Sequence, residues 1–182
     1  MELKTKRLKI TELTFADLQN IHLLHSLPEI DQYNTLGIPV SIQITENILN
    51  DWLDLQKKIP RISHILCIRK RDNNEFIGLI GLTLGKMNYR IAEVWYKILP
   101  AFWGQGLTTE ALAELLKFGF LDLGLHRIEA GCAIENVASF KVLGKVGMIR
   151  EGQKRRVLPL KGQWSDNYIY GILDTDFISI HV

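Results

Sequence analysis

Cysteine is nearly absent. The chain of 182 residues has two, Cys67 and Cys132. Both sit inside apolar runs, Ile-Leu-Cys-Ile and Ala-Gly-Cys-Ala-Ile, where a buried free thiol is the plain reading, and a disulfide-stapled secreted scaffold is excluded. Neither sign of charge is in excess: 22 Lys+Arg against 20 Asp+Glu leave a net charge of +2. That argues against a strongly basic nucleic-acid binder. No apolar run approaches the ~18 residues needed to cross a bilayer. The opening MELKTKRLKI has no apolar stretch behind its basic residues and so is not a signal peptide. The five histidines and two cysteines are scattered without ligand spacing, so no metal is expected. Repeats and low-complexity linkers are lacking too. Residues 1–182 are therefore expected to form one domain of a soluble, cytoplasmic protein, with neither nucleic acid nor membrane as partner.

What is present suffices for a core: 47% of the residues are hydrophobic and 23% charged, ordinary globular proportions. Alternation marks a strand at 7–13. Thr14 can cap a short helix carrying Leu18, Ile21 and Leu24. Residues 28–39 read as irregular. A second helix runs from about Thr45, with Ile48, Leu49, Trp52, Leu53 and Leu55 on or near one face, and Pro60 ends it. Strands at 64–69 and 76–84 flank a polar turn at 71–75 and read as a hairpin. A strand at 90–98 is stopped by Pro100. An amphipathic helix at 108–122 carries Leu112, Leu115, Leu116, Phe118 and Leu121, and Gly124 is its stop. A strand at 127–134, a short helix at 138–146 and strands at 148–158 and 164–173 complete the chain. The order β-α-α-β-β-β-α-β-α-β-β predicts an α/β mixed sheet with helices on its faces.

The stretch that carries chemistry is Trp103-Gly104-Gln105-Gly106-Leu107-Thr108-Thr109-Glu110-Ala111. A strand ends, a glycine-bearing loop follows and a helix starts. The first turn of a helix leaves about four N–H groups without intrahelical partners. The helix dipole adds positive potential there, and glycines let a phosphate approach the backbone. Two glycines alone fit a tight turn as well as a phosphate site. No Gly-Lys-Ser/Thr follows, so the loop is not a Walker A motif. The third glycine of a dinucleotide fingerprint is missing as well.

Context sharpens the reading. Leu125-His126-Arg127-Ile128 comes next, then Asn136-Val137-Ala138-Ser139, and the chain opens with Thr5-Lys6-Arg7-Leu8. In this order, with an aspartate-bearing last strand from Asp166, the motifs resemble the GCN5-related N-acetyltransferase superfamily. More narrowly, they resemble the branch that holds the ribosomal-protein N-terminal acetyltransferases. The resemblance covers essentially the whole chain. It implies one domain with a central, mostly antiparallel twisted sheet, splayed at the cofactor site and covered by helices on both faces.

The resemblance also implies roles. Acetyl-CoA would be the cofactor, its pyrophosphate held by backbone amides of Trp103, Gly104, Gln105, Gly106, Leu107, Thr108 and Thr109. Thr108 is a mild departure from the family's small residue, tolerable if it has helical angles. The strand before the loop would pair with the pantetheine arm. The family carries a bulge there, and an N–H near Lys97 or Ile98 would polarise the thioester carbonyl. Asn136 would lie against the pantetheine, or cap a helix, or do both. Ser139 would protonate the departing thiolate, because the superfamily's alternative tyrosine is replaced by Leu143. Glu93, on the strand lining the substrate side, is the candidate base, ahead of Glu135. His126 reads as structural and Cys132 as core. Tyr33 and Trp164 are the candidate acceptor-binding residues, with Trp52 and Tyr168 either beside them or in the core. The run Lys154-Arg155-Arg156 reads as a solvated strand face.

The expectation is an enzyme that moves an acetyl group from acetyl-CoA to a primary amine by direct attack in a ternary complex. The favoured acceptor is a protein N-terminus. A small-molecule amine, such as a polyamine, antibiotic or amino-acid derivative, and a non-catalytic acyl-CoA-binding module are the alternatives. A homodimer is an expectation from the family.

Overall fold

The computed structural model describes residues 1–181, and Val182 lies outside the described residues. The chain enters through two short strands, β1 (Glu2–Lys4) and β2 (Leu8–Glu12). Sequence pattern gave only the second. A short helical turn leads into α1 (Leu18–His25). It is begun by Thr14 and Asp17, whose carboxylate accepts from the Thr14 N–H at 2.8 Å and hydroxyl at 3.0 Å, a reciprocal cap of orphan donors. The segment read as irregular contains one helical turn, α2 (Pro28–Asp31), opened by its proline. Helix α3 (Ile42–Lys57) starts before the expected Thr45 and buries Thr45 and Leu49.

Strands β3 (Ser63–Lys70) and β4 (Phe76–Leu84) form the expected hairpin, and β5 (Ile91–Ile98) returns beside β4. Helix α4 (Leu107–Lys117) runs on into a π-type turn at Phe118–Asp122. That turn corrects the expected helical face. Its wider winding brings Phe120 into the core at 7% exposure and turns Leu121 out at 62%. Then follow β6 (Arg127–Ala133), α5 (Val137–Lys145), the long hairpin β7 (Ile149–Leu160) and β8 (Gln163–Leu173), and a last helix, α6 (Asp174–His181). The sequence reading missed α6. Its start is held by Asp176, which accepts from the Leu173 N–H at 3.0 Å, and by Phe177, which packs on Phe120.

All eight strands make one sheet in the order β1-β2-β3-β4-β5-β6-β8-β7. Every pairing is antiparallel except β5 with β6. Each face has its own core. Leu49 of α3 and Ile21 and Leu24 of α1 cover Leu13, Cys67 and Leu79 on one face. Leu112, Leu115 and Leu116 of α4 and Leu143 of α5 cover Ile10, Ile80, Val94 and Ile128 on the other. Each fully buried Leu or Ile contributes about 1.5–3 kcal/mol, so apolar burial on both faces holds the helices against the sheet. Strand β7 is an edge with most of its residues exposed. Among the described residues no helix is long and apolar enough to cross a membrane.

Two buried histidines tie stability to pH. Burial, then the nearby Lys97 and His22 charges, push the His25 imidazole down to about 3. Burial and then Arg61 push His64 down to about 4. Unfolded histidines take a proton near 6.5, so below that pH the unfolded state binds protons that the folded state refuses. Stability is therefore expected to fall as pH drops from about 6.5 towards 4. His64 Nδ1 is buried with no partner. The His64→Leu variant should thus lose no hydrogen bond, and its melting temperature should fall less steeply with acid than that of the parent. Equal slopes in a pH series of melts would refute the assignment.

Candidate active site

The pairing register decides where the sheet is open. Flanking bonds from Leu99 N–H to Ile77 O (2.9 Å) and from Gly85 N–H to Ile91 O (2.8 Å) set the phase of β5 against β4. Odd-numbered residues of β5 therefore bond to β4, and Val94, Tyr96 and Ile98 turn their N–H and C=O groups towards β6. Yet β6 is a partner only at Ile91↔Arg127, Ala92↔Ile128 and Glu93↔Glu129. The last pair still engages the Val94 N–H; beyond it the strands part, and the Val94 C=O, both groups of Tyr96 and the Ile98 N–H border a gap in the middle of the sheet. Unpaired strand edges inside a fold call for a partner.

This geometry refines one expectation. The register turns the Lys97 amide to β4 and the Ile98 amide to the gap, so of the two only Ile98 offers its N–H there. The anticipated bulge in β5 is not in its register with β4, which runs unbroken from Gly78↔Ile98 to Leu84↔Ala92. The irregularity lies one strand away, where β3 and β4 shift register between Ile68 and Arg69, opposite Gly78 and Phe76. Gly78 is required there. A Cβ on it would stand 2.1 Å from the Lys97 carbonyl oxygen and 2.9 Å from Ile98 Cα.

The loop at the open end has the features of an anion cradle. Gly104 and Gly106 both take φ of +73°, the left-handed region that favours glycine. Gly106 is the N-cap of α4 and offers no side chain to its first turn. The N–H groups of residues 104–109 have no acceptor among the described residues. Thr108 is the second residue of α4, so its β-carbon sits at ordinary helical angles. Side chains brace the loop. The indole of Trp103 donates to the Ile98 oxygen at 2.7 Å, and the Gln105 amide donates to the Ala101 oxygen at 2.9 Å. Leu107 is buried. Behind the loop, Glu110 accepts from the Thr5 hydroxyl (2.5 Å), the Arg7 N–H (2.8 Å) and Arg7 Nε (2.6 Å). Partial burial alone would raise the Glu110 carboxyl, but these donors hold it below its ordinary range. The Thr-x-Arg-Leu and Thr-Glu-Ala motifs, far apart in sequence, are two halves of this clamp.

Two faces border the gap. On the α5 side, Asn136 caps α5, its Oδ1 accepting from the Ser139 N–H at 3.0 Å. Ser139 Oγ lies 2.9 Å from the Tyr96 hydroxyl, which crosses beneath the gap from β5. Cys132 hydrogen-bonds to Ser139, while burial keeps its thiol up at about 11. Burial also raises the Tyr96 phenol above its ordinary value, so the hydroxyls here stay protonated at neutral pH. Leu143 is buried in the core. On the opposite face, Glu93 is exposed at the apex of the gap, beside the last paired residues.

A family model for an acetyltransferase (GNAT) domain matches residues 7–149. The chain belongs to the GNAT acetyltransferase family. It is 31% identical over 179 residues to an uncharacterized N-acetyltransferase of Bacillus subtilis, YnaD, covering 97% of this chain and 99% of that one. A putative ribosomal N-acetyltransferase of the same organism, YdaF, is 33% identical over 133 residues, covering 72% and 70%. Among solved structures, the spermidine N-acetyltransferase of Vibrio cholerae in complex with CoA and spermine superposes with a TM-score of 0.84 at 22% identity, covering 96% and 99%. The GNAT enzyme described here is thus an N-acetyltransferase acting on amines, and acetyl-CoA is its cofactor. The open loop amides and the unpaired edge of β5 fit a pyrophosphate followed by an extended amide-bearing arm.

The expected acceptor residues also come together. Tyr33 follows α2 and donates to the Glu135 oxygen at 3.2 Å, while the Glu135 carboxylate accepts from Ser165 Oγ at 2.8 Å. Tyr33, Glu135 and Trp164 line one open cleft with Gln32, Lys161 and Ser165. Trp164 is 63% exposed. Trp52 instead belongs to the core, packed on Trp95 and His25, and Tyr168 packs on Phe140. His126 pairs with Asp174 at the closed end of β6. Residues 154–156 are exposed. Among the described residues no group of three or more His, Cys, Asp or Glu could hold a metal. Sequence reasoning missed Tyr96 and Gly78. Alternation along β5 could have put Tyr96 on the face of Val94 and Ile98, but nothing in the sequence set it against α5.

Gly78→Ala should push the end of β5 away from β4. It is expected to cost about 1–3 kcal/mol of stability, as overpacking does, and to weaken acetyl-CoA binding measurably in calorimetry. Gly144, inside α5, has nothing within 4 Å of a Cβ. Gly144→Ala is the control and should stabilise by about 0.5–1 kcal/mol with binding unchanged.

Proposed function

We propose that this enzyme acetylates the α-amine of a protein or peptide N-terminus, with Ser139 and Glu93 on opposite sides of the reacting centre. The observation that carries the reading is the two-faced gap. A proton-holding hydroxyl stands on one face, and an exposed carboxylate stands on the other. When bound, acetyl-CoA supplies an acyl group activated as a thioester. The Ile98 N–H is aimed into the gap, where it would stabilise a developing oxyanion. Ser139, oriented by Tyr96 and by its place in the first turn of α5, holds a proton for a leaving thiolate. Glu93 takes the proton from an incoming ammonium, directly or through water. The demand on it is modest, since an α-amine has a pKa near 8.

The acceptor face favours a chain end over a polyamine. Lys97 projects there from β5 with its Nζ 3.5 Å from His25 Nε2 and over Trp95. Burial brings its pKa down to about 8, against the weaker pull of Asp31. No carboxylate lies within 4.0 Å of its ammonium among the described residues. A lysine ammonium on this face repels a polycation more than it repels a single terminal ammonium. The similarity to a putative ribosomal N-acetyltransferase supports the same acceptor class, and β7, the exposed edge, is where we place the expected homodimer contact.

Thiol release on mixing enzyme, acetyl-CoA and amines tests the reading. Peptides with a free α-amine should react, while the same peptides blocked at the N-terminus and spermidine should not. Turnover of spermidine with none of any peptide would overturn it. Ser139→Ala is expected to lower kcat by about 100-fold or more, in the range of a general acid, and Tyr96→Phe to lower it by less. Acetyl-CoA affinity should stay within about threefold.

A further inference from the structure

The open end of the sheet carries a second feature beside the phosphate loop. The turns before β2 and after β3 reach the same end of the sheet as the loop before α4. Together they enclose a cleft lined by Lys6, Arg7, Lys70, Arg71 and Asp72, with Gln105 of the loop. Two of its four cations are already matched. Arg7 is held by Glu110 and donates to the Gln105 oxygen at 3.0 Å, with NH2 3.7 Å from where a Cβ on Gly106 would stand. Lys70 pairs with Glu75 at 2.7 Å and lies over the Phe102 ring.

Lys6 and Arg71 are not matched. Neither has a carboxylate within 4.0 Å among the described residues, and Arg71 spends one N–H on the Thr5 oxygen at 2.9 Å. Among the described residues Asp72 is the only carboxylate lining the cleft itself, and its Oδ1 accepts from the Asn73 N–H at 2.7 Å. Unmatched cations facing a phosphate-binding loop serve a further anion better than they serve the fold, since exposed like charges repel one another.

We propose that this cleft seats the 3′-phosphate of CoA, with Lys6 and Arg71 as its contacts. The pyrophosphate is provided for by the loop amides. The 3′-phosphate is CoA's remaining phosphate, and it lies one ribose away from the pyrophosphate. A phosphate monoester carries a charge of about −1.5 to −2 at pH 7 and takes charge-assisted donors such as guanidinium and ammonium groups. The adenosine end of the cofactor then turns towards β2 and away from α5, whose Lys141 and Lys145 are the competing cations. The inference rests on CoA being the ligand of the loop.

Calorimetric titration of the full chain with CoA and with dephospho-CoA tests it. The parent should bind CoA tighter by roughly tenfold or more, as expected for new charge-assisted bonds. That preference should shrink between about 50 and 300 mM salt, as screening shortens the reach of surface charges. Lys6→Gln combined with Arg71→Gln should abolish the preference while leaving dephospho-CoA affinity within about twofold; Lys6→Gln alone, which removes no hydrogen bond, should halve it or more. Melting curves of the free variants should match the parent. Equal binding of both ligands by the parent, equal loss of both in the double variant, or loss of the preference in Lys141→Gln with Lys145→Gln would each overturn the proposal. Binding of neither ligand by the parent would instead overturn the cofactor assignment beneath it.

Discussion

A sheet interior does not tolerate unpaired backbone, yet this one is built around it. Strands β5 and β6 are parallel neighbours for three residue pairs and then separate. Each is held away from the other by its far neighbour, β4 for one and β8 for the other. The amides that alternation aims into the gap cannot reach across it, and each buried unpaired group costs on the order of 1–3 kcal/mol. That cost is what an extended amide-bearing ligand would relieve by lying along β5. On that reading affinity for the cofactor would be partly a property of the sheet topology, with the loop at the mouth of the gap adding the anion cradle.

In the proposed reaction the gap also sets the direction of the chemistry. Period-two alternation sends the Tyr96 and Cys132 side chains to the face covered by α5 and those of Glu93, Trp95 and Lys97 to the other. A donor entering along β5 from the phosphate loop meets protonated hydroxyls on one side and an exposed carboxylate on the other. A proton can then leave an ammonium and reach a thiolate without either group crossing the sheet. Tyr96 is the joint between the halves: its backbone borders the gap and its hydroxyl holds Ser139. Leu143, one turn further along α5, is buried. The phenol comes from the strand, and it reaches the serine-bearing first turn of α5.

Legibility in the sequence followed the range of the interaction. The strands and helices whose signal is local, such as the β3–β4 hairpin with its polar turn or the amphipathic α4, were readable, as was the loop with its two glycines. The π-type turn after α4 was not, because one wider hydrogen-bonded turn exchanges Phe120 for Leu121 in the core without changing the apolar count. Helix α6 escaped because its start follows a strand directly, with only Asp174 and Asp176 to announce it. The amide facing the gap was narrowed to two residues by resemblance and to Ile98 by register, which is a long-range property. Gly78 was silent for the same reason: its need is set by the carbonyl of Lys97 on the neighbouring strand.

The clamp on Glu110 shows why two distant motifs belong together. Thr5 and Arg7 precede β2, and Glu110 lies in the first turn of α4, so their bonds fasten the helix that carries the phosphate loop to the far side of the sheet. A carboxylate in that turn would by itself compete with an incoming phosphate for the positive end of the helix. With three donors committed to it, its charge is spent on the N-terminal segment and the loop amides of residues 104–109 remain available. The same arrangement leaves the Arg7 guanidinium at the loop's edge, its remaining NH2 close to Gly106. One ion pair therefore does two things: it anchors the first hairpin, and it neutralises an acid beside the loop. Losing either partner would expose the other's charge to that site with opposite sign, so the two motifs constrain each other more tightly than either constrains the residues beside it in sequence.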